Sequence, residues 1–136
     1  MSAPPQIRRG KFVRIASLYS TLIAVFLLSG LPLLSPMNSV EWTNFTVLLI
    51  VVVGSATLAF APSRVWRVVG VAARVLWVLG VVMFIRHVAG AGELAWAEAG
   101  PALIITHFLI VSLWISVITS ATLVLWRDQA SRVRAR

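Results

Sequence analysis

Four apolar stretches dominate this sequence, and they constrain the fold more than any other feature of it. They cover about residues 12–35, 39–61, 64–88 and 101–126. Each is long enough for a helix that crosses the hydrocarbon core of a bilayer, which takes about 20 residues. The sequence therefore predicts an all-α integral membrane protein whose four transmembrane helices form an antiparallel up-down bundle.

The composition indicates a single membrane domain that covers residues 1–136. Hydrophobic residues make up 60% of the chain and charged residues 12%, whereas soluble domains carry about 25% charged residues. Four spans leave almost nothing for a soluble catalytic module. The chain has no cysteine, which excludes disulfides, thiolate metal sites and thiol redox chemistry.

The basic residues flank the apolar stretches, so we interpret the net charge of +8 as a topology signal and expect no nucleic-acid binding. With four spans, ten basic residues share the side of the two termini and of the short turn before residue 64. They are Arg8, Arg9, Lys11, Arg14, Arg64, Arg67, Arg127, Arg132, Arg134 and Arg136. The opposite side holds Arg86 together with Glu41, Glu93 and Glu98. The positive-inside rule then places both termini, including the basic tail 127–136, in the cytoplasm.

The tryptophan positions agree with this topology, and the amino-acid composition indicates the type of organism. Trp66 and Trp126 would mark the inner membrane interface, and Trp42 and Trp96 the outer one. Eleven arginines against one lysine, with abundant valine and alanine, indicate a GC-rich bacterial genome. We therefore expect a multi-pass protein of the bacterial inner membrane.

Small polar residues recur at helical spacing in the first and last apolar stretches. Ser17, Ser20, Thr21 and Ala24 share one face of the first helix, and Ser112, Ser116 and Ser120 form a ladder along the fourth. Membrane helices use such faces for close backbone approach. Both faces are predicted to point into the bundle, and the serine ladder is predicted to be a helix–helix contact.

The third stretch carries arginines where a membrane helix normally has none. The apolar run between Arg74 and Arg86 is only eleven residues long, roughly 16 Å of helix and about half of a bilayer core. If the helix spans, Arg74 lies roughly 9–10 Å below an inner boundary near Val68. It then either snorkels to lipid phosphates or pairs with a partner, because no carboxylate of this chain is predicted within the membrane. With Arg64 and Arg67, it is the predicted site for a partner subunit or for anionic lipids at the cytoplasmic face.

His87 and His107 are the two imidazoles of the chain and the only candidates for haem ligands. On the predicted helix ends, His107 lies about 9 Å below the outer surface and His87 at the surface. That mismatch disfavours two axial ligands of one haem. We therefore expect no cofactor and no metal, with haem b as the alternative.

No pair of carboxylates, nucleotide-binding loop or catalytic triad is present within the predicted spans. The sequence therefore predicts a non-enzymatic accessory, stabilising or assembly subunit of a larger membrane complex, whose partners are other integral membrane subunits. Two alternatives stay open. One is a homo-oligomeric channel or small transporter with Arg74 in its pathway, and the other is a haem- or quinone-binding membrane anchor of a respiratory complex.

Overall fold

The computed structural model describes residues 10–30, 39–91 and 100–134 of the chain. Several sequence predictions lie outside these ranges, namely those on residues 31–35 and on Arg8, Arg9, Glu93, Trp96, Glu98 and Arg136. The side chains of Glu41 and Arg132 also lie outside what the structure describes.

Four long helices make up most of the described chain. They are α1 (Lys11–Gly30), α2 (Ser39–Phe60), α3 (Trp66–Ala91) and α4 (Pro101–Arg134), with a short 3₁₀ turn (Ser63–Val65) before α3. The described residues contain no strand. All four helices are long and apolar enough to cross a membrane, where a backbone that satisfies its own hydrogen bonds is required. This confirms the all-helical, four-span part of the prediction and indicates a multi-pass membrane protein.

Proline and glycine set the described helix boundaries. Pro62 is extended, with φ −67° and ψ 155°, and separates α2 from the 3₁₀ turn, where its carbonyl accepts a 3.1 Å hydrogen bond from the Val65 amide. Pro101 is the first residue of α4, a position where its missing N–H costs nothing. The Gly100 carbonyl accepts hydrogen bonds from the Leu103 and Ile104 amides. Local chemistry thus begins α3 and α4 where the apolar runs begin.

The far end of α4 differs from the sequence prediction, because the helix continues through Arg134 instead of ending at Trp126. The 34 residues of α4 contain no glycine and no proline after Pro101, so nothing in the backbone ends the helix at the membrane boundary. At 1.5 Å per residue it is about 51 Å long, against a hydrocarbon core of about 30 Å. Most of the basic tail, residues 127–134, is therefore helical.

The packing is that of a bundle in which α1 lies against α2 and α4, and α3 lies against α4 and α2. Large side chains that are fully buried fill its centre: Leu58, Leu76, Leu113, Val13, Val51, Val69, Val117 and Val124. Exposed valines, leucines, isoleucines and phenylalanines cover its outside, as lipid requires. Close approach depends on glycine at two places, Gly54 in α2 and Gly80 in α3.

We expect Gly54→Ala to destabilise the bundle and Gly70→Ala to be neutral or stabilising. A Cβ at Gly54 would lie 2.9 Å from Cγ and Cδ2 of the fully buried Leu76, whereas a Cβ at Gly70 meets nothing within 4 Å. Overpacking costs about 1–3 kcal/mol, more than the about 1 kcal/mol that alanine gains over glycine in a helix. Titration of the purified variants with a denaturing detergent measures the change in unfolding free energy for each. Equal stabilities would contradict this packing of α2 on α3.

Candidate functional site

A network of hydroxyl groups joins α1 to α4 and α2 in the interior of the bundle. Ser20 and Ser116 share a hydrogen bond of 2.8 Å, and Thr21 and Ser55 share one of 2.9 Å. Ser20 and Ser116 also lie 2.8 Å from backbone carbonyls of their own helices, those of Ala16 and Leu113. The two hydroxyls have one proton each for these three contacts, so one serine donates across the interface while the other donates to the carbonyl of its own helix. Both protons thus have an acceptor in a lipid environment.

The serine ladder of α4 lies along this network. Ser112 shares a 2.8 Å hydrogen bond with the hydroxyl of Tyr19, so two of the three serines contact α1 directly. Ser120 is fully buried and donates to the Val117 carbonyl at 3.0 Å. Within the described part of the chain, these serines contact no imidazole or carboxylate that would activate them as nucleophiles. The observed contacts of the network are those between packed helices.

The two histidines contact each other across α3 and α4. Nε2 of His87 and Nδ1 of His107 lie 2.7 Å apart, and the ring centroids lie 4.4 Å apart at an interplanar angle of 26°. The prediction that His107 lies much deeper in the membrane than His87 is therefore wrong. The error arose because α3 is longer than predicted and continues to Ala91. His87 therefore lies four residues before the end of α3, and His107 lies six residues after the beginning of α4.

This arrangement does not fit a haem held between the two rings. Axial ligands on opposite faces of an iron keep their nitrogens roughly 4 Å apart at metal–nitrogen bonds of about 2 Å each. The observed separation of 2.7 Å is that of a direct hydrogen bond. A haem would fit between the two rings only if the facing ends of α3 and α4 separated. We therefore assign no haem-binding role to the two histidines.

At the other end of the bundle, the last part of α4 lies against the start of α3 and against Gly10, the residue before α1. The indole N–H of Trp66 donates to a carboxylate oxygen of Asp128 at 3.0 Å. The guanidinium of Arg127 lies against Gly10, so closely that a Cβ there would be 2.1 Å from one of its nitrogens. Asp128, the one carboxylate whose side chain the structure describes, is thus engaged near the beginning of α3, away from mid-span.

The three arginines singled out on the third helix all point outward. Arg64 is exposed in the 3₁₀ turn before α3, Arg67 is exposed in the first turn of α3, and Arg74 is exposed eight residues after Trp66, about 12 Å along the helix axis. Within the described chain, Arg74 has no hydrogen bond and no ion pair. The structure therefore places Arg67 and Arg74 on α3 and Arg64 in the turn before it, and the described part of the chain supplies no counter-charge for Arg74.

Arg74 lies at the centre of an otherwise apolar outer face of α3, which we call the Arg74 face. Its members are Val71, Arg74, Val75, Trp77 and Val78, all exposed. Val71 and Val78, one turn to either side, are 59% and 56% exposed, so no other described helix covers the arginine. A guanidinium offers five donors in a planar fork that matches a carboxylate or a phosphate. The Arg74 face is the candidate binding site.

No set of three metal-ligating side chains occurs in the part of the chain that the structure describes. Comparisons with protein-family models, curated proteins and solved structures gave no match.

Proposed function

We propose that the protein is a non-enzymatic accessory or assembly subunit, which docks through the Arg74 face onto a membrane helix that carries a carboxylate. The observation that carries this proposal is the exposed guanidinium of Arg74 within a candidate membrane span, without an acceptor in the described chain. An arginine at mid-helix costs about 2.5–3.5 kcal/mol on insertion scales. A carboxylate on a partner helix offsets that cost with charge-assisted, bidentate hydrogen bonds.

The surroundings of Arg74 favour a protein partner over a lipid phosphate. Roughly 9–10 Å of helix separate Arg74 from Val68, the inner boundary predicted from the sequence, more than the side chain alone spans when extended, roughly 6–7 Å. Arg64 and Arg67 come before Val68 in the chain and are exposed. We assign these two to the anionic headgroups of the cytoplasmic leaflet, and Arg74 to the partner.

The interior of the bundle gives no support to a pathway through a single chain. Leu58, Leu76 and Leu113 are fully buried at its centre, and the hydroxyl groups nearby are already hydrogen-bonded. Transport would require several copies with Arg74 between them. An assembly of several copies would appear in the crosslinking experiment below as adducts between two copies of this chain.

The proposed location is the inner membrane of a bacterium, with antiparallel neighbouring helices and both termini in the cytoplasm. The charge distribution supports the cytoplasmic termini. The order of three contacts, which runs in opposite directions along α3 and α4, supports the antiparallel arrangement of these two helices. The three contacts are Trp66 with Asp128, Gly80 with Val117, and His87 with His107. Reporter fusions after residue 136 and in the turn at Pro62 are expected to be cytoplasmic, and a fusion at Glu93 periplasmic. A periplasmic reporter at residue 136 would contradict this topology.

Photo-crosslinking tests the docking face directly. A photoreactive amino acid at Val78 lies on the Arg74 face, and one at Val53 lies on the outside of α2, where it is 61% exposed. The two positions are at similar depth, because Gly54 approaches Leu76. We expect the Val78 probe to capture another membrane polypeptide with Asp or Glu in an apolar segment, and the Val53 probe to capture lipid. Lipid adducts from both probes, or adducts with a second copy of this chain, would overturn the proposal.

A further inference from the structure

The contact between His87 and His107 is separate from the Arg74 face and carries a second inference. The two imidazoles are the only ones in the 136 residues. They come from different helices, and their facing nitrogens meet at 2.7 Å. Both side chains are half-buried, close to the end of the bundle where α3 ends and α4 begins. From this geometry we propose that the pair is a binding site for a divalent transition-metal ion, with Cu(II) as the preferred one.

The spacing of the two rings is compatible with one coordination geometry better than with another. Two imidazole nitrogens about 2.0 Å from one ion lie about 2.8 Å apart at a square-planar angle and about 3.3 Å apart at a tetrahedral angle. The observed 2.7 Å is closer to the square-planar value. Ring centroids in such a pair would be separated by about 4.4–4.5 Å, as against 4.4 Å here. Tetragonal geometry with nitrogen ligands is characteristic of Cu(II) and Ni(II), and Cu(II) binds more tightly in the Irving–Williams order.

Binding of the metal ion changes the tautomer of one histidine and releases no net proton, provided that both imidazoles are neutral. In the hydrogen bond, one of the two facing nitrogens carries a proton. In the metal complex both facing nitrogens, Nε2 of His87 and Nδ1 of His107, present lone pairs to the ion, and each ring keeps its one proton on the far nitrogen. The rings must also turn from their 26° interplanar angle, so that their C–H groups do not collide around the ion.

The pair is not closed off by other described residues at the ends of the two helices. Arg86, Ala89 and Gly90 on α3 are exposed near the pair, as are Pro101 and Ala102 on α4. Water would complete the coordination sphere of an ion that the protein holds by two nitrogens. The positive charge of Arg86 opposes cation binding, so Arg86→Gln is expected to leave the affinity for Cu(II) unchanged or raise it.

The test is a titration of the full chain with glycine-buffered Cu(II), using protein in detergent that carries a histidine-free affinity tag. We expect one Cu(II) per chain, with an electron paramagnetic resonance spectrum that shows coupling to two imidazole nitrogens. Binding should weaken about tenfold or more in His87→Gln and again in His107→Gln. Zn(II) should compete poorly, because it prefers tetrahedral sites.

A histidine variant could lose Cu(II) simply because α3 separates from α4. The electron paramagnetic resonance spectrum of the wild-type protein does not depend on such variants and counts the coordinating imidazoles directly. Coupling to a single imidazole, or no bound Cu(II), would overturn the proposal and leave the pair as an interhelical hydrogen bond. Unchanged binding in a double variant that lacks both imidazoles would also overturn it, since the ion would then lie elsewhere on the chain.

Discussion

Ser116→Leu is expected to destabilise the bundle by about 2–4 kcal/mol or to prevent its accumulation in the membrane. The hydroxyl of Ser116 lies 2.8 Å from that of the fully buried Ser20, which leaves no space for a larger side chain between α1 and α4. Overpacking contributes about 1–3 kcal/mol. Loss of the interhelical hydrogen bond adds about 0.6–1.7 kcal/mol. Unfolding by a denaturing detergent, followed by circular dichroism, gives the difference.

Thr119→Leu is the matched control on the same helix. Thr119 is exposed, and its hydroxyl donates to the Ile115 carbonyl one turn earlier in α4. A leucine there would face lipid and should change stability by no more than about 0.5 kcal/mol. If both leucine variants lose the same stability, the hydroxyl network does not hold α1 against α4.

Arg74→Ala is expected to release the protein from its complex while the chain still inserts and folds. Its side chain is exposed and has no hydrogen bond in the described chain, so the bundle loses nothing within itself. Removal of a charge from the span favours insertion by about 2.5–3.5 kcal/mol. The partner, in contrast, is left with an unpaired carboxylate in the membrane, which costs several kcal/mol. Co-purification in a mild detergent, compared with the amount of chain in the membrane, separates the two effects.

Two further variants distinguish a specific ion pair from loss of charge in general. Arg134→Ala removes another exposed arginine, outside the candidate span, and should leave the complex intact. Arg74→Glu should abolish the complex, and a basic residue in place of the partner's carboxylate should restore it. If Arg74→Ala leaves co-purification unchanged, the arginine snorkels to lipid phosphate and the Arg74 face is not a docking site.

The long apolar runs were sufficient to predict the helices, and the spacing of small residues was sufficient to predict the inward face of α1. Ser17, Ser20 and Ala24 recur at helical spacing in an apolar stretch, and all three are fully buried, which confirms that this face points into the bundle. The prediction succeeded because, in lipid, small residues are informative about helix contacts while hydrophobic ones are not. Trp114 illustrates the opposite case, since it is 3% exposed in α4 and nothing in its sequence neighbourhood marks it as interior.

Contacts between helices were less predictable, because they depend on how far each helix extends. The depth assigned to His87 relied on an α3 that ends near residue 88, and three more residues of helix bring it level with His107. Likewise, the absence of glycine and proline after Trp126 could have indicated the extension of α4, but hydropathy alone locates the membrane boundary and not the helix end. The outward direction of Arg74 required the packing of all four helices.

Native mass spectrometry tests the central claim most directly, with the protein extracted in membrane-derived nanodiscs from cells that produce it at its natural level. The account predicts a particle in which the 14.8 kDa chain is accompanied by another membrane polypeptide with an acidic residue in an apolar segment, and which Arg74→Ala dissociates. A particle that contains only this chain, at 14.8 kDa or a multiple of it, would contradict the account.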